Sequence, residues 1–146
     1  MTSFRRILVP TDFSPTAGAA TRQAVDLAKT FGAELVLLHV VPPMVHRLRT
    51  FGMAAGLAGL QDELRQRAAE RLQQTAAEIG AGPIRTEVRE GNAYEQVLAC
   101  ARDCQADLIV IGTQGHTGLQ HALLGSTAER VVRFAHCPVL TVRTTS

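Results

Sequence analysis

Among its 146 residues the chain has no tryptophan, one tyrosine and a single lysine, Lys29, against fourteen arginines. With so few aromatic residues there is little to stack a flavin ring. With one lysine, placed in the first predicted helix, neither lysine catalysis nor a lysine grip on phosphate is expected. The sequence has no G-x-x-x-x-G-K-[ST], so it is not a P-loop protein, and no G-x-G-x-x-G after its first apolar run, so a dinucleotide fold has no support. It also lacks H-x-G-H after that run and an acidic pair to hold two metal ions, which argues against a nucleotidyl transferase. No segment approaches the ~18 uninterrupted apolar residues of a membrane span. The first apolar stretch stops at Pro10, short of a signal h-region of about 7–15 residues, so a cytoplasmic protein is expected. A net charge of +2 is too small for a nucleic-acid partner, which calls for a basic patch or stripe. The three cysteines, Cys100, Cys104 and Cys137, are odd in number and lack metal-like spacing. Cys100 and Cys104, one helical turn apart, read as small buried hydrophobes rather than a disulfide scaffold. The five histidines are too scattered for zinc.

What is present is a pattern close to a globular average, 46% apolar and 19% charged, and a length that suits one domain over residues 1–146. Short apolar runs occur at Ile7-Leu8-Val9, Leu35 to Val41, Ile84 to Val88, Leu108 to Ile111 and Val139 to Val142. The fourth is continuously apolar and the second is so but for His39, as expected for parallel strands buried on both faces. Four helical stretches lie between the runs. The first opens with Ser14-Pro15 as N-cap and N1, places Ala20, Ala24, Leu27 and Phe31 on its inner face, and closes at Gly32. The second carries a stripe of Leu57, Leu60, Leu64, Ala68, Leu72, Ala76 and Ile79. The third carries Ala93, Val97, Cys100, Ala101 and Cys104. The fourth begins at Ser126, with Glu129 as its capping-box partner, and buries Val131, Val132 and Ala135. Alternating strands and helices predict an α/β fold, an open parallel sheet with helices on both faces. The segment from Pro42 to Gly59, rich in Pro, Arg and Gly, reads as a loop and as the candidate moving part.

Ligands of open α/β sheets sit beyond the carboxyl ends of the strands, where strand order reverses. After the first run comes Pro10-Thr11-Asp12-Phe13-Ser14, and after the fourth comes Gly112-Thr113-Gln114-Gly115-His116-Thr117-Gly118. Glycines 112, 115 and 118 leave bare N–H groups in a tight loop, and Gly125-Ser126-Thr127 opens a helix whose N-terminus attracts phosphate. Two such elements from one crossover can hold a polyphosphate without lysine, and His116 is a further candidate within that loop. Other readings stay open: turn glycines at 112 and 115, a pure cap at Ser126, and a capping role for Asp12 beside Ser14. His39 reads as a hydrogen-bonded core histidine. No convincing general base or arginine finger is present, so a catalytic set is not assigned and any hydrolysis of a bound polyphosphate is expected to be slow.

Gly112-x-x-Gly115, nine residues, then Gly125-Ser126 resembles the G-x2-G-x9-G-[ST] signature of the universal stress protein family. Ile7 to Ser14, Leu37-Leu38-His39-Val40 and Cys137 to Val142 are similar to the family's opening, second and closing strands, so the resemblance spans the chain. It implies a Rossmann-like five-stranded parallel sheet of order 3-2-1-4-5 and binding of ATP, with Mg2+ or Mn2+ bridging the phosphates. Carried over, Pro10 and Thr11 line the nucleoside pocket. Asp12 meets the ribose, or the metal through water, and the Val40 backbone meets the adenine edge. Gly112 and Gly115 pass close to ribose and phosphates, and Ser126 and Thr127 bind phosphate oxygens. The resemblance also implies a homodimer through the last strand, Val139 to Arg143, whose apolar edge invites pairing with a second copy. A nucleotide-dependent stress-response regulator is the expected function. The alternative is a dimeric interaction module that binds a protein partner and leaves its pocket empty.

Overall fold

The computed structural model describes residues 3–43, 57–80, 82–114 and 124–144. Five strands, β1 (Arg6–Pro10), β2 (Glu34–Val41), β3 (Ile84–Glu90), β4 (Leu108–Gly112) and β5 (Val139–Val142), form one parallel sheet in the order β3-β2-β1-β4-β5. Helices α1 (Pro15–Phe31), α2 (Leu57–Ile79), α3 (Ala93–Asp103) and α4 (Ser126–Phe134) connect them. The expected sheet and order are therefore present. None of the described helices is long and apolar enough to cross a membrane.

The continuous apolar runs resolve into two cores because successive side chains on a strand face opposite ways. Ile7, Val9, Leu35, Leu37, Leu108 and Val110 pack with Ala20, Ala24 and Ala28 of α1 and Leu72 of α2. Leu8, Val36, Leu38, Ile109 and Ile111 pack on the other face with Val97, Cys100 and Ala101 of α3 and Ala128 and Val131 of α4. Cys100 and Cys104 are buried, as their spacing predicts. Burial pushes the Cys100 thiol well above its ordinary range; its hydrogen bond to Glu87 Oε2 (3.2 Å) and the Glu87 charge push the same way.

The helix faces depart from expectation in three places. On α1 the sheet is met by Ala17, Ala20, Ala24 and Ala28, while Leu27 is half-buried and Phe31 exposed. Alanines let the helix lie close to the strands; the larger side chains fall on its flanks, where Phe31 packs edge-on against Phe4 with centroids 5.2 Å apart. Among the described side chains of α2, Gln61, Ala68 and Leu72 are buried and Leu60 is exposed. Gly59, expected in a loop, lies within the first turn of α2. Within the segment from Pro42 to Gly59, residues 44–56 fall outside the described residues. On α4 Val132 is exposed and Ala135 only half-buried. Both ends of α1 are as expected: Ser14 Oγ accepts from the Ala17 N–H, and Gly32 takes the left-handed conformation at φ 66°.

Candidate functional site

The order β3-β2-β1-β4-β5 turns at β1. The chain runs outward from β1 to β3 on one side, then crosses by α3 to β4 on the other. The carboxyl ends of β1 and β4 consequently part, and a cleft of about 460 Å³ opens between them.

Pro10, Thr11 and Asp12 from the end of β1, Val40 from β2, Gly112 from β4, and Gly125, Ser126 and Thr127 at the start of α4 all line this one cleft. Gly115, His116 and Gly118 lie outside the described residues. One wall is apolar, made by Leu38, Val40, Ala93, Val97 and Ile111. Polar side chains in the lining include Thr113, Gln114, Ser126 and Thr127. Asp12 is the only carboxylate among the described lining residues, and none of these is Lys or Arg.

The α4 end of the cleft corrects the capping-box expectation. Gly125, not Ser126, is the N-cap, and among the described residues no side chain caps the helix. The Gly125 N–H is bonded back to the Thr113 carbonyl at the end of β4, which fixes where the helix begins. Ser126 is thus the first helical residue, and Glu129 pairs with Arg133 at 3.0 Å instead of reaching back. An uncapped helix start leaves its first N–H groups, with their partial positive charge, at the cleft.

The glycines owe part of their presence to packing. A Cβ on Gly112 would sit 2.8 Å from Thr16 Cγ2 and 3.0 Å from the Thr16 carbonyl oxygen, so β4 and α1 approach only because position 112 has no side chain. A Cβ on Gly125 would lie 3.2 Å from the Thr113 carbonyl oxygen. The β1 end is similarly self-supporting. Asp12 Oδ1 accepts from the Ser14 N–H at 2.9 Å, so the capping role weighed for Asp12 is present alongside its place in the cleft. His39 is hydrogen-bonded as expected, through Nδ1 to the Thr11 carbonyl at 2.8 Å, and it also lines the cleft.

Gly91, Ala93 and Val97, after β3, were not anticipated as cleft residues. The strand-end rule reaches them when it is applied to Glu90-Gly91-Asn92. Gly91 has φ 137°, which favours glycine, and its N–H bonds the Val41 carbonyl at 3.0 Å.

A doubly wound α/β protein with a cleft at its switch point is the class this geometry defines. The family model described as the Universal stress protein family matches residues 3–143. Universal stress protein MJ0531 of Methanocaldococcus jannaschii is 40% identical over 142 residues, covering 96% of this chain and 82% of that protein. Among solved structures, that of protein MJ0577, from the same organism, covers 99% of both chains at 27% identity with a TM-score of 0.86. UspA from Lactobacillus plantarum covers 98% of this chain and 100% of its own at 31% identity with a TM-score of 0.72. The chain belongs to the universal stress protein family.

Proposed function

We propose that the chain binds ATP in this cleft and acts in the cytoplasm as a nucleotide-dependent stress-response regulator, a homodimer through β5, with any hydrolysis slow. The observation that carries the reading is the pairing, in one cleft, of an apolar lining with a helix start that no described side chain caps, and with no lysine or arginine among the described lining residues. The adenine lies against Val40 and the neighbouring apolar wall, and the ribose lies near Asp12 and Gly112. Main-chain N–H groups at the start of α4, with the Ser126 and Thr127 hydroxyls, take the phosphates. Gly115, His116 and Gly118 enter on their sequence alone.

Mg2+ or Mn2+ fits this site only as a guest of the phosphates. Asp12 is the one carboxylate at hand, and no group of three His, Cys, Asp or Glu among the described residues is placed to hold a metal ion. A bound metal would neutralise phosphate charge that the protein leaves without lysine.

Saturating Mg-ATP tests the reading. At 100 times its Kd a ligand stabilises a fold by about 2.7 kcal/mol. For a chain of this size that raises the melting temperature by about 5–10 °C. The expected result is a shift in that range. An unchanged melting curve would overturn the nucleotide reading and leave the dimeric interaction module.

A further inference from the structure

The β1–α1 turn carries an aromatic side chain that the cleft does not use. Phe13 has φ 64°, in the left-handed region that bulky residues rarely enter. Such a backbone persists only where its surroundings over-determine it. Here the Phe13 N–H bonds Thr11 Oγ1 at 3.0 Å. The ring packs on the His39 imidazole, centroids 4.7 Å apart and planes tilted by 31°. The Arg71 guanidinium of α2 lies over the ring, with Cζ 4.3 Å from its centroid.

Those contacts lead into the cleft. A carbonyl oxygen can only accept, so His39 Nδ1 carries the proton in its 2.8 Å bond to the Thr11 carbonyl. The Thr11 N–H bonds the Leu38 carbonyl at 2.8 Å. Thr11 is thus fixed through its N–H, its hydroxyl and its carbonyl, two of the three by partners in contact with or belonging to Phe13. Asp12 follows directly, its carboxylate turned to the Ser14 N–H. On the far side of the turn, Phe13 and Arg71 line a groove between α1 and α2 that Thr11 also borders. Arg71 itself is exposed and does not line the cleft.

We propose that Phe13 is a positioning residue for the cleft, and that Arg71, from outside the cleft, sets nucleotide affinity by holding the Phe13 ring against His39. The proposal rests on the nucleotide reading above. Without the stack the turn relaxes from its left-handed conformation, and Thr11 and Asp12 leave the positions they hold at the cleft.

Calorimetric titration of Mg-ATP into the wild-type chain, Arg71→Gln, Arg71→Lys and Phe13→Leu, with the melting temperature of each ligand-free protein, tests it. Arg71→Gln is expected to weaken binding by about two- to five-fold, the scale of an exposed cation–π contact. It should lower the ligand-free melting temperature by no more than about 4 °C. Arg71→Lys, which keeps the cation, should recover most of the loss, and Phe13→Leu should weaken binding by about tenfold. In the NMR spectrum of the ligand-free protein the Arg71 Nε–Hε resonance should carry an upfield ring-current shift that Phe13→Leu removes. Wild-type affinity in both Arg71→Gln and Phe13→Leu would overturn the proposal alone. So would a lowered melting temperature with affinity unchanged, because the stack would then be packing only. Absence of Mg-ATP binding by the wild-type chain would overturn the nucleotide reading and this inference with it.

Discussion

Edge strand β3 bears Arg85, Glu87 and Arg89, each in an ion pair, whereas β5 at the opposite edge is Val139-Leu140-Thr141-Val142 and bears no charge. Arg85 pairs with Glu34 at 2.8 Å, and Arg89 pairs with Glu87 at 3.0 Å and Asp103 at 2.9 Å. Arg65 of α2 adds a pair to Glu90 at the end of the strand. Around β5, Leu140 is exposed, as are Val132 and Phe134 of α4. Any edge strand offers unpaired N–H and C=O groups to another chain, and charge on the edge is one way to discourage that pairing. The sheet thus guards one border and leaves the other apolar, which supports β5 as the seam of the proposed homodimer.

The largest effect expected is at that seam. Leu140→Arg should weaken self-association by about 30-fold or more, the scale of losing an interface anchor. Sedimentation velocity over a concentration series reads it, and a wild-type chain that stays monomeric would break the comparison. The next concerns the inner side of the guarded edge. Burial, then the hydrogen bond and charge of Glu87, raise the Cys100 thiol above its ordinary value of 9.0 in the fold. The unfolded chain therefore loses that proton first, so this contribution is intact below about pH 9 and is lost as pH rises further. Each unit above that value costs up to about 1.4 kcal/mol while the folded thiol stays protonated. Urea unfolding at several pH values should show a steeper alkaline decline in the wild-type chain than in Cys100→Ala. Equal slopes would separate Cys100 from the charges above it. The smallest effect is on the surface of β3. Arg85→Ala removes a half-exposed pair and should cost less than about 1 kcal/mol, with self-association unchanged. A gain in association on its removal would sharpen the comparison by showing that Arg85 guards the edge.

The same contrast explains what could be read in advance. β1, β2 and β4 announce themselves because both of their faces are buried, which leaves apolar runs broken only by His39. The apolar pattern places β3 but ends it at Val88, because Arg89 and Glu90 look like the start of a loop unless their ion partners are known. The stripe on α1 runs through Leu27 and Phe31 in the sequence because a hydrophobic pattern ranks side chains by size. Contact with a sheet selects small ones, here Ala17, Ala20, Ala24 and Ala28. At α4, Ser126 and Glu129 have the spacing of a capping box, but the helix start is set by a bond from Gly125 to Thr113, twelve residues back across a crossover. The strand-end rule reaches Pro10, Thr11, Asp12, Gly112, Thr113 and Gln114 of the cleft. It could not reveal that Phe13, His39 and Arg71 meet, since only the folded chain brings together residues 26 and 58 positions from Phe13.

The close approach of Gly112 to Thr16 separates two things that a glycine signature is usually asked to report together. A descendant of this chain that abandoned its ligand would still be bound to glycine at that position by the neighbouring helix. Persistence of glycine there would then record the shape of a scaffold, and the hydroxyls of Ser126 and Thr127 would be the part left free to drift.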